Sequence, residues 1–137
     1  MFKIAGLTDT ERFEGLDLTG GMSNWLMPYG VVEEWSSNLG SGVLKLSASA
    51  ASLHGLPCIE CGLLTMTRRY DQRDRSSVLE LFEKAATKPS SFCFSTTIIS
   101  ETPDQIQRPV FCMGRSIDSG KPCPDSIVGI FIFPNVH

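Results

Sequence analysis

The sequence predicts an α+β domain with an antiparallel sheet, and two observations carry that prediction. Runs of strand-like residues come two at the start and three at the end, with a helical block between them. Strands grouped in this way argue against the alternating pattern of a parallel sheet. The last run, Ile127 to Phe133, is apolar at every position except Gly129. A strand with one wet face alternates apolar and polar residues, so this one is expected to be covered on both sides.

The elements follow in order. Residues 1–28 form a leader. Thr8 and Glu11 have capping-box spacing, but Gly15 and the Gly20-Gly21 pair keep any helix short. Trp25, Leu26 and Met27 close the leader as an apolar cluster before Pro28. Tyr29 to Ser36 (YGVVEEWS) suits a first strand, Ser37 to Gly42 has turn chemistry, and Val43 to Leu46 is the return strand. Ser47 is placed to cap a short helix through SASAASLH, stopped by Gly55. Pro57 to Leu64 reads as irregular. The clearest helix begins near Asp71, shows Val78, Leu81, Phe82 and Ala85 on one face, and ends at Pro89. Phe92 to Ser100, Pro109 to Ile117 and Ile127 to Phe133 are the three closing strands, separated by a turn at Thr102-Pro103-Asp104 and a loop at 118–126.

Length and composition bound the function. A chain of 137 residues, 42% apolar and 20% charged, suits one core, with 29–137 as the main domain. A net charge of −3 offers no basic surplus to release counterions from nucleic acid, so direct nucleic-acid binding is not expected. No apolar run approaches the roughly 20 residues that cross a bilayer. The N-terminal apolar run, Ile4 to Leu7, is too short for a signal peptide. A cytoplasmic domain without membrane insertion is the expectation.

Five cysteines (Cys58, Cys61, Cys93, Cys112, Cys123) are an odd, scattered set, read as reduced thiols. Cys58 and Cys61 make a CxxC. A structural zinc needs four ligands, usually two spaced pairs. The other cysteines are unpaired and the only histidines are His54 and His137, so no metal site is assigned. A thioredoxin-like redox pair opens a helix within a βαβ unit, whereas this one follows Pro57 in an irregular stretch. The favoured reading is incidental thiols, with redox response and metal as the lesser ones. Arg68, Arg69, Asp71, Arg73, Asp74 and Arg75 alternate in sign and read as a solvated helix start with capping.

The order of elements and several local patterns resemble a PAS domain. The resemblance spans Tyr29 to Phe133. It rests on Trp35 in the first strand, LKLSASAASLHGL ending at Gly55-Leu56, Cys61-Gly62, RRYDQRDRSSVLELFEKA at the start of the long helix, and GRSIDSGKPCPDSIVGIFIFP in the final hairpin. Tyr70 and Gln72 stand where the family usually has His and Pro. The resemblance implies a five-stranded antiparallel sheet, with short helices and one longer helix on one face and the leader on the other. It also implies a non-enzymatic module of signal transduction, such as the input domain of a two-component histidine kinase, with a downstream signalling domain or partner protein. Such domains often dimerise through a leader and the sheet face, which makes a homodimer the expectation, with Trp25, Leu26, Met27, Val128, Ile130 and Ile132 in contact.

Cofactors are argued against. Haem-binding members commonly take their proximal His from the long helix, and residues 72–88 contain none. His54 is expected instead to suit the carbonyls at the end of its short helix. Flavin photosensors of this fold carry a reactive Cys in GxNCRFLQ, whereas this chain reads GLLTMTRR from Gly62 and puts Thr65 there. A colourless protein follows. A small apolar ligand stays open, with Phe92, Phe94, Ile98, Val110, Cys112 and Phe131 as pocket candidates, although a filled core is the favoured reading. A ligand-free dimerisation adaptor is the first alternative. The second is a small pocket enzyme, which would need a buried His–Asp or carboxylate pair; neither His falls in a strand.

Overall fold

The structure, a computed structural model, describes residues 3–6, 30–99, 107–118, 120–121 and 123–134. The cluster Trp25, Leu26 and Met27 and the turn expected at Thr102 to Asp104 lie outside the described residues. Among the described residues seven strands form one sheet: β1 (Lys3–Gly6), β2 (Gly30–Asn38), β3 (Val43–Leu46), β4 (Glu60–Gly62), β5 (Ser91–Ile98), β6 (Arg108–Ile117) and β7 (Ser126–Pro134). Their order across the sheet is β1-β5-β6-β7-β2-β3-β4, with every neighbouring pair antiparallel. Helices α1 (Ala48–His54), α2 (Leu63–Thr67) and α3 (Arg75–Thr87) come from the middle of the chain.

The five strands expected from sequence form the centre, and a short strand is added at each edge. At one edge Lys3–Gly6 pairs with Ser91–Phe94, so this part of the leader extends the sheet. At the other, Glu60–Gly62 pairs with Val43–Lys45 inside the stretch read as irregular, and α2 follows it directly. Three residues after a Pro-containing bend are too few to show a period of two, which is why the pattern was silent.

Local chemistry accounts for the helix ends. Ser47 Oγ accepts from the Ala50 N–H at 3.0 Å and starts α1. Gly55 stops it with φ of 73°, a left-handed conformation that glycine adopts without steric cost. The long helix starts later than Asp71. Asp71 caps a 3-10 turn at Gln72–Asp74, accepting from the Arg73 N–H, and α3 opens at Arg75. The reason is tertiary. The Asp71 N–H donates to the Thr97 carbonyl at 2.9 Å and the Ile99 N–H to the Arg69 carbonyl at 2.7 Å, which fastens Arg69–Asp71 to the edge of β5. Helical geometry begins only where the chain leaves that edge. Asp74 then accepts from the Thr96 hydroxyl at 2.7 Å instead of completing a capping box.

The core lies between one face of the sheet and the helices. Trp35, Leu44, Leu46, Phe92, Phe94, Ile98, Val110, Cys112, Ile127, Phe131 and Phe133 join Val78, Leu81, Phe82 and Ala85 of α3 in one buried cluster. Burying each large apolar side chain stabilises by roughly 1.5–3 kcal/mol. Trp35 is central, with its ring 5.4 Å from Phe82 and 5.8 Å from Phe131. Gly114 and Gly129 make the room for it: a Cβ on Gly129 would run into the Met113 carbonyl and the Trp35 ring. The single gap in the apolar run of β7 is therefore the seat of the indole.

Candidate functional site

All six pocket candidates point to the helical side of the sheet. Phe92, Phe94 and Ile98 of β5, Val110 and Cys112 of β6, and Phe131 of β7 belong to the same buried cluster. The register explains it: Phe94 lies opposite Cys112 and Cys112 opposite Phe131, so alternate residues of three strands share one face.

At the centre of this wall stands a polar pair the sequence did not announce. His54, the last residue of α1, is fully buried, as is Tyr70. The His54 ring lies 4.7 Å from Phe131 and 5.5 Å from Phe133, edge-on to both. Its Nδ1 is 2.8 Å from the Ala50 carbonyl and its Nε2 2.8 Å from the Tyr70 hydroxyl. A carbonyl can only accept, so Nδ1 carries the proton and Nε2 accepts from the tyrosine. Burial disfavours a charged ring and brings the His54 pKa down to about 4, only partly opposed by the bond to Ala50. Burial likewise pushes the Tyr70 phenol well above its ordinary range. The pair is neutral and satisfies itself.

The reading of His54 as a polar ring serving the end of its helix holds for Nδ1. The partner at Nε2 lies 16 residues on and leaves no local trace, although the burial of Ala50 and Ala51 with His54 puts the ring on the inward stripe of α1. His54 also reaches the sheet from a helix, so a buried His does exist where an enzyme pocket would lie. Its partner is a phenol and not a carboxylate.

The charge cluster divides. Arg73 and Asp71 form an exposed ion pair at 2.8 Å, as a solvated face should, and the Arg73 bonds hold the Asp71 carboxyl down at about 2. Arg69 and Arg75 turn back onto the chain. Arg69 Nε donates to the His54 carbonyl at 3.1 Å, and Arg75 donates to the carbonyls of Tyr70 and Arg68. These two side chains brace both ends of the His54–Tyr70 bridge.

One polar atom of the core has no partner among the described residues. Trp35 Nε1 is buried without an acceptor at hydrogen-bond distance. The Cys112 thiol lies near enough for a weak contact with the indole N–H that falls short of hydrogen-bond geometry; it is fully buried, and desolvation pushes it well above its ordinary pKa.

The opposite face of the sheet carries one apolar row across three strands, bordered by Glu34 in the next row and by Ser36 and Arg115 beyond it. Phe111, Ile132 and Val32 lie in one row, and Met113 and Ile130 in the next. Phe111 is 43% exposed, whereas Ile130 is completely buried although it points away from the core cluster. Val128 and Ile132 are half-buried. A hollow of about 350 Å³ beside this row is bordered by Glu34, Ser36, Lys45 and Val128. Another of about 400 Å³ lies by Asp71, Arg73, Asp74 and Phe111.

No protein-family model matches the chain, and no curated protein matches it in sequence. Solved structures do. The N-terminal domain of a diguanylate cyclase with PAS/PAC sensor from Marinobacter aquaeolei superposes with a TM-score of 0.63 at 10% identity, over 74% of this chain and 94% of that one. The fold is PAS-like. A sensory box histidine kinase/response regulator from Burkholderia thailandensis gives a TM-score of 0.61 at 16% identity, covering 82% of each chain. An RNA-binding light-oxygen-voltage receptor gives 0.62 at 10% identity; the match covers 74% of this chain and 29% of that one. The PAS-like core is the five central strands with α1, α2 and α3 on one face, as the resemblance in sequence implied. None of the helices of the described residues is long and apolar enough to cross a membrane.

Proposed function

We propose that this chain is a PAS-type sensory and interaction module of a signalling protein, the input side of a histidine kinase or a related regulator. The observation that carries the reading is the fold, a sheet with its helical cover on one face, which superposes on 94% of the cyclase sensor domain. The module works by contact and not by catalysis. His54 and Tyr70 are enclosed, with both ring nitrogens and the phenol proton already engaged, which leaves no proton donor or base for a substrate. The outer sheet face is the output surface, and a second copy of this chain is its occupant, related by a two-fold axis so that the same patch meets itself. Trp25, Leu26 and Met27 pack against Val128, Ile130 and Ile132 as part of that contact. Phe111, 43% exposed at the edge of an apolar row that spans three strands, is the surface such a contact would cover.

A second reading has its own support. The orphaned Trp35 N–H is a donor inside an apolar core, and a small apolar ligand with one acceptor would satisfy it. Native mass spectrometry of freshly purified protein separates the readings. A ligand-free dimer supports contact output, and a bound small molecule lost in Trp35→Phe supports the ligand. A monomer with no ligand at tens of micromolar would overturn both.

A further inference from the structure

We propose that Cys58 and Cys61 form a thiol–disulfide switch at the β4 edge of the sheet, oxidised by exchange with small disulfides such as glutathione disulfide. The two cysteines differ in a way that suits successive roles. Cys58 is exposed, in the bend that leads into β4. Cys61 is half-buried in β4 itself, opposite Leu44 and against the margin of the core. The Leu46 N–H donates to the Ile59 carbonyl at 2.7 Å, which continues the β3–β4 pairing back past Glu60, so closing a disulfide between the bend and the strand has to release that bond. Burial first, and then the neighbouring Cys58 sulfur, push the Cys61 thiol upward. Cys61 is thus the shielded thiol that reacts second.

The exchange balances without another reagent. The Cys58 thiolate attacks one sulfur of glutathione disulfide, forms a mixed disulfide and releases one glutathione thiolate. The Cys61 thiolate then attacks Cys58 Sγ, closes the protein disulfide and releases the second glutathione. Two protein thiols lose two electrons and two protons, and glutathione disulfide gains them.

The position gives the switch something to move. β4 has three residues and lies at an edge, so few backbone bonds resist its displacement. The residue after Cys61, Gly62, ends β4 and is the N-cap of α2, which has no side-chain cap there. Met66 and Thr67 of α2 are buried, and the chain runs on through Arg69 to Tyr70. Drawing Cys61 toward Cys58 takes it from its place opposite Leu44 and pulls on the segment that holds the His54–Tyr70 bridge.

Intact-mass analysis with peptide mapping, after incubation in a glutathione disulfide buffer, tests this. The wild-type chain should lose two hydrogens within the 58–61 peptide and retain no glutathione there. The Cys61→Ser variant should keep one glutathione on Cys58. Cys123, exposed and with no cysteine within ten residues of it, serves as the comparison for adduct retention. In the oxidised protein the Leu46 amide should exchange with deuterium faster than in the reduced one. A wild-type chain that keeps glutathione on Cys58 as stably as on Cys123, or that does not react at 58 and 61 at all, overturns the proposal. So does a protein disulfide that leaves Leu46 exchange unchanged.

Discussion

His54 and Tyr70 hold a hydrogen bond across the core whose strength depends on the ring staying neutral. The unfolded His54 takes up a proton as pH falls below about 6.5, and the folded one not until about 4. Between those values the unfolded state binds more protons, so stability falls as pH falls; below about 4 both states are protonated and the loss stops. The full effect is roughly 3 kcal/mol by linkage. The His54→Gln variant should be less stable than wild type at pH 7, and the gap should narrow toward pH 4 in denaturant titrations. Parallel curves would show that His54 is not the group responsible. Tyr70→Phe removes the donor and leaves Nε2 unsatisfied, for an expected loss of about 1–3 kcal/mol by the same measurement. At Gly129 the constraint is steric. Gly129→Ala places a methyl on the Trp35 ring and on the Met113 backbone, which cannot give way, so a thermal melt should show a large fall in Tm or no cooperative transition.

At the scale of elements, β7 answers why a seven-residue run carries almost no polar residue. Ile127, Phe131 and Phe133 fill the core with Gly129 as the notch for Trp35, while Val128, Ile130 and Ile132 face the other way among Val32, Phe111 and Met113. Its place between β2 and β6, the sheet's central position, is what a strand apolar on both faces suits. Removing residues 1–28 takes away β1 and uncovers the edge of β5 from Ser91 to Phe94. An unpaired edge beside an apolar face invites association. The truncated chain should aggregate or change its oligomeric state in light scattering. A truncated protein with unchanged solubility, stability and mass would remove the leader from any role in the fold or the contact.

For the whole molecule, the proposed output face makes a specific demand. Phe111→Asp puts a charge on the exposed outer row of the sheet, opposite Ile132 across the β7 pairing. If a second copy seats there, the variant should elute as a monomer whose helical core still melts cooperatively. A dimer that persists with the same dissociation constant would place the contact elsewhere.

What the sequence determined by itself was local or periodic. Ser47 and Gly55 bounded α1 because caps act within a few residues. Val78, Leu81, Phe82 and Ala85 marked the buried stripe of α3 because the period of a helix is written in spacing. The five central strands followed from β-branched and aromatic runs set between turn signals, and the ordered set of elements carried the PAS resemblance, whereas the face that Phe92 and Phe94 share with Phe131 came from the register. Tertiary structure decided the rest, because the partners are distant along the chain. The late start of α3 depends on Arg69–Asp71 being bound to β5, some 28 residues away. The edge strands β1 and β4 are too short to show a pattern and exist only because a longer neighbour offers unpaired backbone groups. The His54–Tyr70 bridge arises because α1 and the segment before α3 meet over the same aromatic wall. A hydrogen bond across that gap depends on the fold bringing its two ends to 2.8 Å, and no spacing in the chain encodes that distance.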